Sequence, residues 1–308
     1  MGNYLILFLL LLGIPVQGFS QKGSTNAIDK TEQGFLLVYQ NRFMEADSLL
    51  RLNKKNFPGH YLNHILAANI CWWRIMFGEK SEILDKTFCA EVDSGLLIME
   101  KTAIERMSND QLFLLLNFYG FRSRIYFRER AFLKAIQTFR GILSILKSTF
   151  GKEPEFERFY FTSGLFHFYT GSGREYSNLI KAALLTFPPS DKMKGLEYLY
   201  KLVNSNDKIM KNESRYFLVK MSLDNLENFK ESLRLAISLA KEYPTNALYQ
   251  YYVFKNLVKL DRMEEARKEM AHLDFIMAEN TQLKPEHRRF WKGKVQETLK
   301  RHYEVSTD

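Results

Sequence analysis

Apolar residues recur along this chain at the three- and four-residue steps of amphipathic helices, in paired segments separated by short polar turns. The pairing is clearest between Glu213 and Asn280, where two segment pairs superimpose at an offset of 34 residues. The leading segments are YFLVKMSLDNLE and LYQYYVFKNLVKL, each followed by a turn, so that Phe229 falls on Met263 and Ser232 on Ala266. Each pair reads as a helical hairpin, and a fixed period of this length marks an array of repeated hairpins.

The same pattern runs upstream. Ala27 to His60 carries Gly34, Ala46 and Pro58 at intervals of twelve, with Leu37, Leu49 and Leu50 between the helices and Phe43 opening the second. Small residues permit a close helix crossing, and proline ends the second helix. Tyr61 to Phe77 reads as the next leading helix, and its partner is expected to be long, because apolar positions continue from Leu84 to Ala103 within Glu82 to Met107. Leu112 to Phe150 follows with Ser123, Tyr126, Phe132, Ala135 and Phe139, and with Arg122, Arg124, Arg128 and Arg130 crowded into its first helix and turn. Phe156 to Tyr176 is the densest aromatic stretch and is expected to be a helix ended by a glycine-rich break at Gly171 and Gly173. Phe187-Pro188-Pro189 is a firm breaker, a helix restarts at Asp191, and a basic helix from Pro285 to His302 closes the array as its polar cap.

Composition adds an all-helical bias, with only seven prolines and sixteen glycines in 308 residues. The chain opens with an apolar run from Leu5 to Ile14, a Gly-Ile-Pro break and small residues at Gly18 and Ser20, read as a signal peptide over residues 1–20. The run is shorter than the ~20 residues that span a bilayer. Residues 21–308 are then one mature solenoid domain in an exported space, a periplasm or the face of an outer membrane, with secretion as the other destination. The formal net charge of +9 favours acidic partners, and export argues against nucleic acid. Cys71 and Cys89 flank a turn near Lys80; a disulfide between them would contribute ~3 kcal/mol on the chain-entropy model, the other reading being two buried thiols.

The common catalytic and metal-binding patterns are absent from the sequence. His60 and His64 stand four apart, but neither His-Glu-x-x-His nor paired Cys-x-x-Cys occurs, and no Gly-x-Ser-x-Gly elbow is present. The Gly171-x-Gly173 step lacks the strand and the Gly-Lys-Ser/Thr of a phosphate loop. No cofactor, metal or enzymatic activity is expected.

With Gly34/Ala46/Pro58, Ser123/Tyr126/Ala135/Phe139 and the offset pair at Ser232 and Ala266, the chain resembles the tetratricopeptide repeat (TPR) superfamily, and within it exported bacterial members with irregular central repeats. Lys220 and Phe254 depart from the pattern, standing where it wants a small residue. The resemblance implies an all-α, right-handed α-α superhelix of about six hairpins with a C-terminal capping helix. It also implies a non-enzymatic scaffold or adaptor that holds a protein or peptide partner in the concave face lined by first helices. Carried over to this chain, the lining positions are Arg124, Phe127 and Arg128 in one repeat and Tyr251, Lys255 and Lys259 in another. These make a basic, aromatic-flanked groove suited to an acidic segment, since the planar fork of arginine bonds both carboxylate oxygens. The alternative function is a small-molecule or glycan binder that uses the aromatic region 156–176, with Tyr160, His167 and Tyr169 around a pocket.

Overall fold

A computed structural model describes residues 24–129, 131–173 and 187–305; the leader expected over 1–20 lies outside them. Among the described residues there are thirteen α-helices, one 3-10 turn and no strand. Successive helices pack as antiparallel neighbours: α1 (Ser24–Tyr39) with α2 (Phe43–Asn56), α3 (Tyr61–Met76) with α4 (Glu82–Met99), and α5 (Asn109–Arg128) with α6 (Phe132–Thr149). Then come α7 (Arg158–Gly173) against α8 (Lys192–Leu202), α9 (Lys208–Asp224) with α10 (Phe229–Glu242), and α11 (Ala247–Lys259) with α12 (Met263–Glu279). The last helix, α13 (Pro285–Val305), lies on α11 and α12.

The 34-residue period is written into the backbone. Glu227 and Asp261 both take the left-handed conformation, with φ of 50° and 57°, and Asn41 repeats it at 58° in the first hairpin. The next residues, Arg42, Asn228 and Arg262, share one backbone shape (φ/ψ of −92/58, −89/72 and −88/63) and open the second helices. Four residues further on, Ala46, Ser232 and Ala266 are fully buried at the crossing. Ala131 has the same shape (−83/59), which puts Ala135 at the equivalent place in its helix; the side chains of Ala135 and Phe139 lie outside the described residues. The exits match as well. Phe57 and Tyr243 end α2 and α10 at −133/67 and −129/70, each followed by a proline that cannot extend the helix.

Three expectations give way to the structure. The long helix from Glu82 stops at Met99, because a capping box restarts the chain: Ser108 Oγ accepts from the Gln111 amide at 3.3 Å while Gln111 Oε1 accepts from the Ser108 amide at 2.9 Å. Gly171 and Gly173 are helical residues of α7 rather than a break. Gly34 serves the next repeat, facing Leu66 of α3 instead of its own hairpin partner. At Gly195 the α7 and α8 backbones approach so closely that a β-carbon would collide with the Phe168 amide and stand 2.7 Å from the Gly164 carbonyl.

The ends add a contact of their own, since repeats in an open array touch only their neighbours. Here the first hairpins dock on the last. Asn246 donates from Nδ2 to the Tyr39 carbonyl at 2.7 Å while its Oδ1 caps α11 through the Leu248 and Tyr249 amides. Thr245 donates to the Gln40 carbonyl, Asn41 donates to the Thr245 carbonyl, and the Tyr39 hydroxyl donates to Glu213 Oε1 at 2.6 Å. Arg158 of α7 sits between Glu32 of α1 and Asp207, whose carboxylate caps α9. Beside this seam the Phe77 ring meets Trp291 of α13 edge-on at 5.2 Å.

Two substitutions probe this architecture. Gly195→Ala is expected to destabilise by about 2 kcal/mol, since overpacking against backbone outweighs the gain in helix propensity. Asn246→Ala removes a cap and strands a buried carbonyl together, an expected loss of about 2–4 kcal/mol. Urea unfolding of each variant, followed by circular dichroism, reads both.

Candidate functional site

The first helices of successive hairpins turn one stripe each toward a shared interior. On α9, Tyr216, Lys220 and Asp224 stand at four-residue intervals and so share a face. Trp72 and Met76 on α3, Phe121 and Arg124 on α5, Tyr169 on α7, and Tyr252 and Lys255 on α11 meet that stripe. The guanidinium of Arg124 lies over the Trp72 ring at 4.8 Å and the Phe121 ring at 4.9 Å. Lys220 Nζ stands 5.9 Å from the centre of the Tyr216 ring. Lys255 Nζ reaches Asp224 Oδ1 at 3.4 Å, and the Tyr216 hydroxyl points to the Met76 sulfur at 3.9 Å. Arg124 is 6% exposed and Glu213 4%, while Lys220, Asp224 and Lys255 remain half-buried.

Lys220 feels the attraction of Asp224 and the repulsion of Lys255 and Arg124, while Glu213 attracts Arg124. Burial pushes Glu213 up to about 7, against the pull of Tyr39 and Arg124, so its charge is partial at neutrality. Lys220 is brought down to about 8, chiefly by desolvation and then by the repulsion of Lys255 and Arg124, against the attraction of Asp224. Burial also lowers Arg124 to about 10, which leaves it charged. Among the described residues no carboxylate forms an ion pair with Lys220. Lys220 and Lys255 thus lie beside one another in an aromatic setting, with Asp224 attracting both.

The residues expected to line a groove are placed as follows. Arg124 and Lys255 belong to this interior. Tyr251 is buried beside it, its hydroxyl sharing a hydrogen bond with Thr298 at 2.9 Å. Lys259 is exposed and reaches the Phe229 ring at 5.7 Å, apart from the others. Phe127 and Arg128 lie on α5, but their side chains are outside the described residues. Cys71 is a buried thiol pushed up to about 12 by desolvation, and Cys89 is half-buried on the facing helix, each with its sulfur as a thiol.

The aromatic helix does not gather its three candidates in one place. Tyr160 and His167 turn to Tyr198 of α8, with ring centres at 5.1 and 6.0 Å, and His167 Nδ1 accepts from the Asp191 amide. Tyr169 faces the opposite way, toward Arg124 and Tyr216. Reasoning from the sequence missed Glu213, Tyr216 and Asp224 as site residues; the four-residue stripe through Lys220 was the available signal.

Potential metal ligands are otherwise engaged. His60 Nδ1 caps α3 through the Leu62 amide, whereas His64 pairs with Glu91 at 2.6 Å. Glu79, Glu286 and His287 bring ligand atoms within 4.8 Å of one another. Glu79 already accepts from Arg74 at 2.7 and 2.8 Å and from Lys284 at 2.6 Å, and stays ionised down to about 2. His287 Nδ1 accepts from the Lys284 amide, so its Nε2 carries the proton toward Glu79. Two cations and a ring N–H around one carboxylate make an ion-pair network hostile to a further cation.

No helix among the described residues is long and apolar enough to cross a membrane. Comparison with known proteins finds no match among family models, curated proteins or solved structures.

The interior charges set a pH signature. The folded value of Lys220 lies below the ordinary 10.5, so its charge penalises the fold below about pH 8, and that penalty disappears as pH rises toward 10.5. Lys220→Met is therefore expected to be more stable than wild type at neutrality, by a margin that shrinks above pH 8. For Glu213, raised to about 7, the penalty is full above that value and fades toward 4.5. The advantage of Glu213→Gln should accordingly narrow on acidification. Urea midpoints across pH for both variants check the two directions.

Proposed function

We propose that this chain is a non-catalytic binding protein of the TPR type: about six hairpins in a right-handed superhelix with a C-terminal capping helix, exported to the cell envelope. It acts as a scaffold or adaptor, and it recognises an acidic segment of a partner protein through the face made by its first helices. The observation that carries the reading is the meeting of Lys220 and Lys255 on that face, where Lys220 forms no ion pair with a carboxylate among the described residues. The recurring turn at Asn41, Glu227 and Asp261 supports the repeat assignment. The overall charge of +9 supports an acidic partner, and the apolar run Leu5 to Ile14 supports export.

Fluorescence anisotropy with labelled acidic and basic peptides tests the recognition. Acidic peptides are expected to bind with an affinity that falls as salt rises, and Lys255→Glu should weaken them about tenfold, a loss of ~1.4 kcal/mol. Equal binding of both peptide classes, or none, overturns the reading. Fractionation of expressing cells tests export: a mature N-terminus at Gln21 in the periplasmic fraction is the expected result.

A further inference from the structure

We infer that the outward face of α13 seats the protein on an anionic lipid surface. The inner side of this helix is fixed by packing. The Trp291 ring lies 5.2 Å from Phe77 and 5.3 Å from Tyr251, Val295 is buried, and Thr298 shares a hydrogen bond with the Tyr251 hydroxyl. Helical periodicity then puts Arg289, Lys292, Gln296, Lys300 and Tyr303 together on the opposite side, and all five are exposed. No carboxylate stands on that line. Glu297 and Glu304 lie on one flank, where Glu297 pairs with Lys294 and Arg301 and Glu304 pairs with Lys300. Arg289 and Lys292 form no ion pair among the described residues. Lys220 and Lys255 belong to α9 and α11, so the two basic surfaces are separable by mutation.

Shape and composition favour lipid over an acidic peptide. The outer side of the last helix is a convex ridge, suited to a flat partner, whereas an extended peptide needs a groove to bury its side chains. Aromatic rings also stand beside the charges. Tyr303 is 54% exposed on the basic line itself, and Phe275 of α12 is 62% exposed. Phe275 lies one turn before Ala278, whose carbonyl accepts from Arg288 Nη2 at 3.3 Å, so Arg288 ties that end of α12 to the basic helix. At a bilayer surface such rings settle at the headgroup level, while the long stems of lysine and arginine carry their charges to the phosphates. Unpaired cations add to the attraction because they give up no internal partner on contact.

Co-sedimentation of the mature chain, residues 21–308, with vesicles tests the assignment. One set of vesicles mixes phosphatidylglycerol with phosphatidylethanolamine, and the neutral set is phosphatidylcholine alone. The chain is expected to sediment with the anionic set only and to be released by salt. Arg289→Gln/Lys292→Gln should weaken that binding more than about tenfold, since each cation at an anionic surface is worth roughly fivefold. Lys230→Gln/Lys241→Gln removes the same charge from exposed positions of α10 and should change nothing. Phe275→Ser should weaken binding about fivefold through lost apolar contact. All five substituted side chains but Phe275 are simple surface cations, and far-UV circular dichroism of each variant shows whether the fold is kept. Equal sedimentation with both vesicle sets, none with either, or equal losses in the α13 and α10 variants overturns the lipid face. Capture of polyglutamate but not of vesicles through Arg289 and Lys292 also overturns it and gives the ridge to an acidic protein. Vesicle binding that survives Lys255→Glu supports it, and absence of peptide binding alongside intact vesicle binding overturns the scaffold reading alone.

Discussion

Everything inside this molecule depends on a seam of hydrogen bonds between its first turn and the start of α11. Asn246 is the joint: one side chain caps a helix with its oxygen and anchors the Tyr39 carbonyl with its nitrogen. A helical array left open has two apolar ends and a solvated inner face. Asn246, Thr245 and Asn41 join the turn of the first hairpin to the start of α11, and residues of five leading helices face a shared interior. Glu213 then sits at 4% exposure against Tyr39, a partner from the opposite end of the chain.

That enclosure explains why the charges of the interior are unusual while those of the surface are ordinary. Arg42–Glu45, Arg262–Glu265 and Arg234–Glu231 are exposed pairs three residues apart, screened by solvent and of little weight for the fold. Arg158, by contrast, is buried and held by two carboxylates, Glu32 in α1 and Asp207 at the cap of α9. Lys220 forms no such ion pair among the described residues, although Asp224 attracts it.

Much of the fold was legible in the chain because it is local. The turn residues at 227 and 261, the small residues at 46, 232 and 266, and the prolines at 58 and 244 act within a few positions of themselves, and all stand where the period put them. What escaped was decided at a distance or by competing local chemistry. Ser108 and Gln111 restart the chain as α5 although apolar spacing runs on past Met99. Gly171 resembles a break but serves as clearance, with the Lys192 amide 2.9 Å from where its β-carbon would stand. The interior cluster joins residues from α3, α5, α7, α9 and α11, and only the seam, invisible in any periodicity, determines that they meet. Arg124 and Lys255 were picked from their repeat positions, whereas Glu213 and Tyr216 required the closed arrangement.

The seam also bears on how such a chain can change over generations. An open array lengthens by duplicating one unit, because every new repeat finds the same neighbour and nothing else moves. A closed one has no spare place. An additional 34-residue unit between α2 and α11 would carry Tyr39 away from Asn246 and Phe77 away from Trp291, dissolving several buried contacts at one stroke. Repeat number is thereby frozen, and variation is channelled into the turns and outer helices that the closure leaves alone.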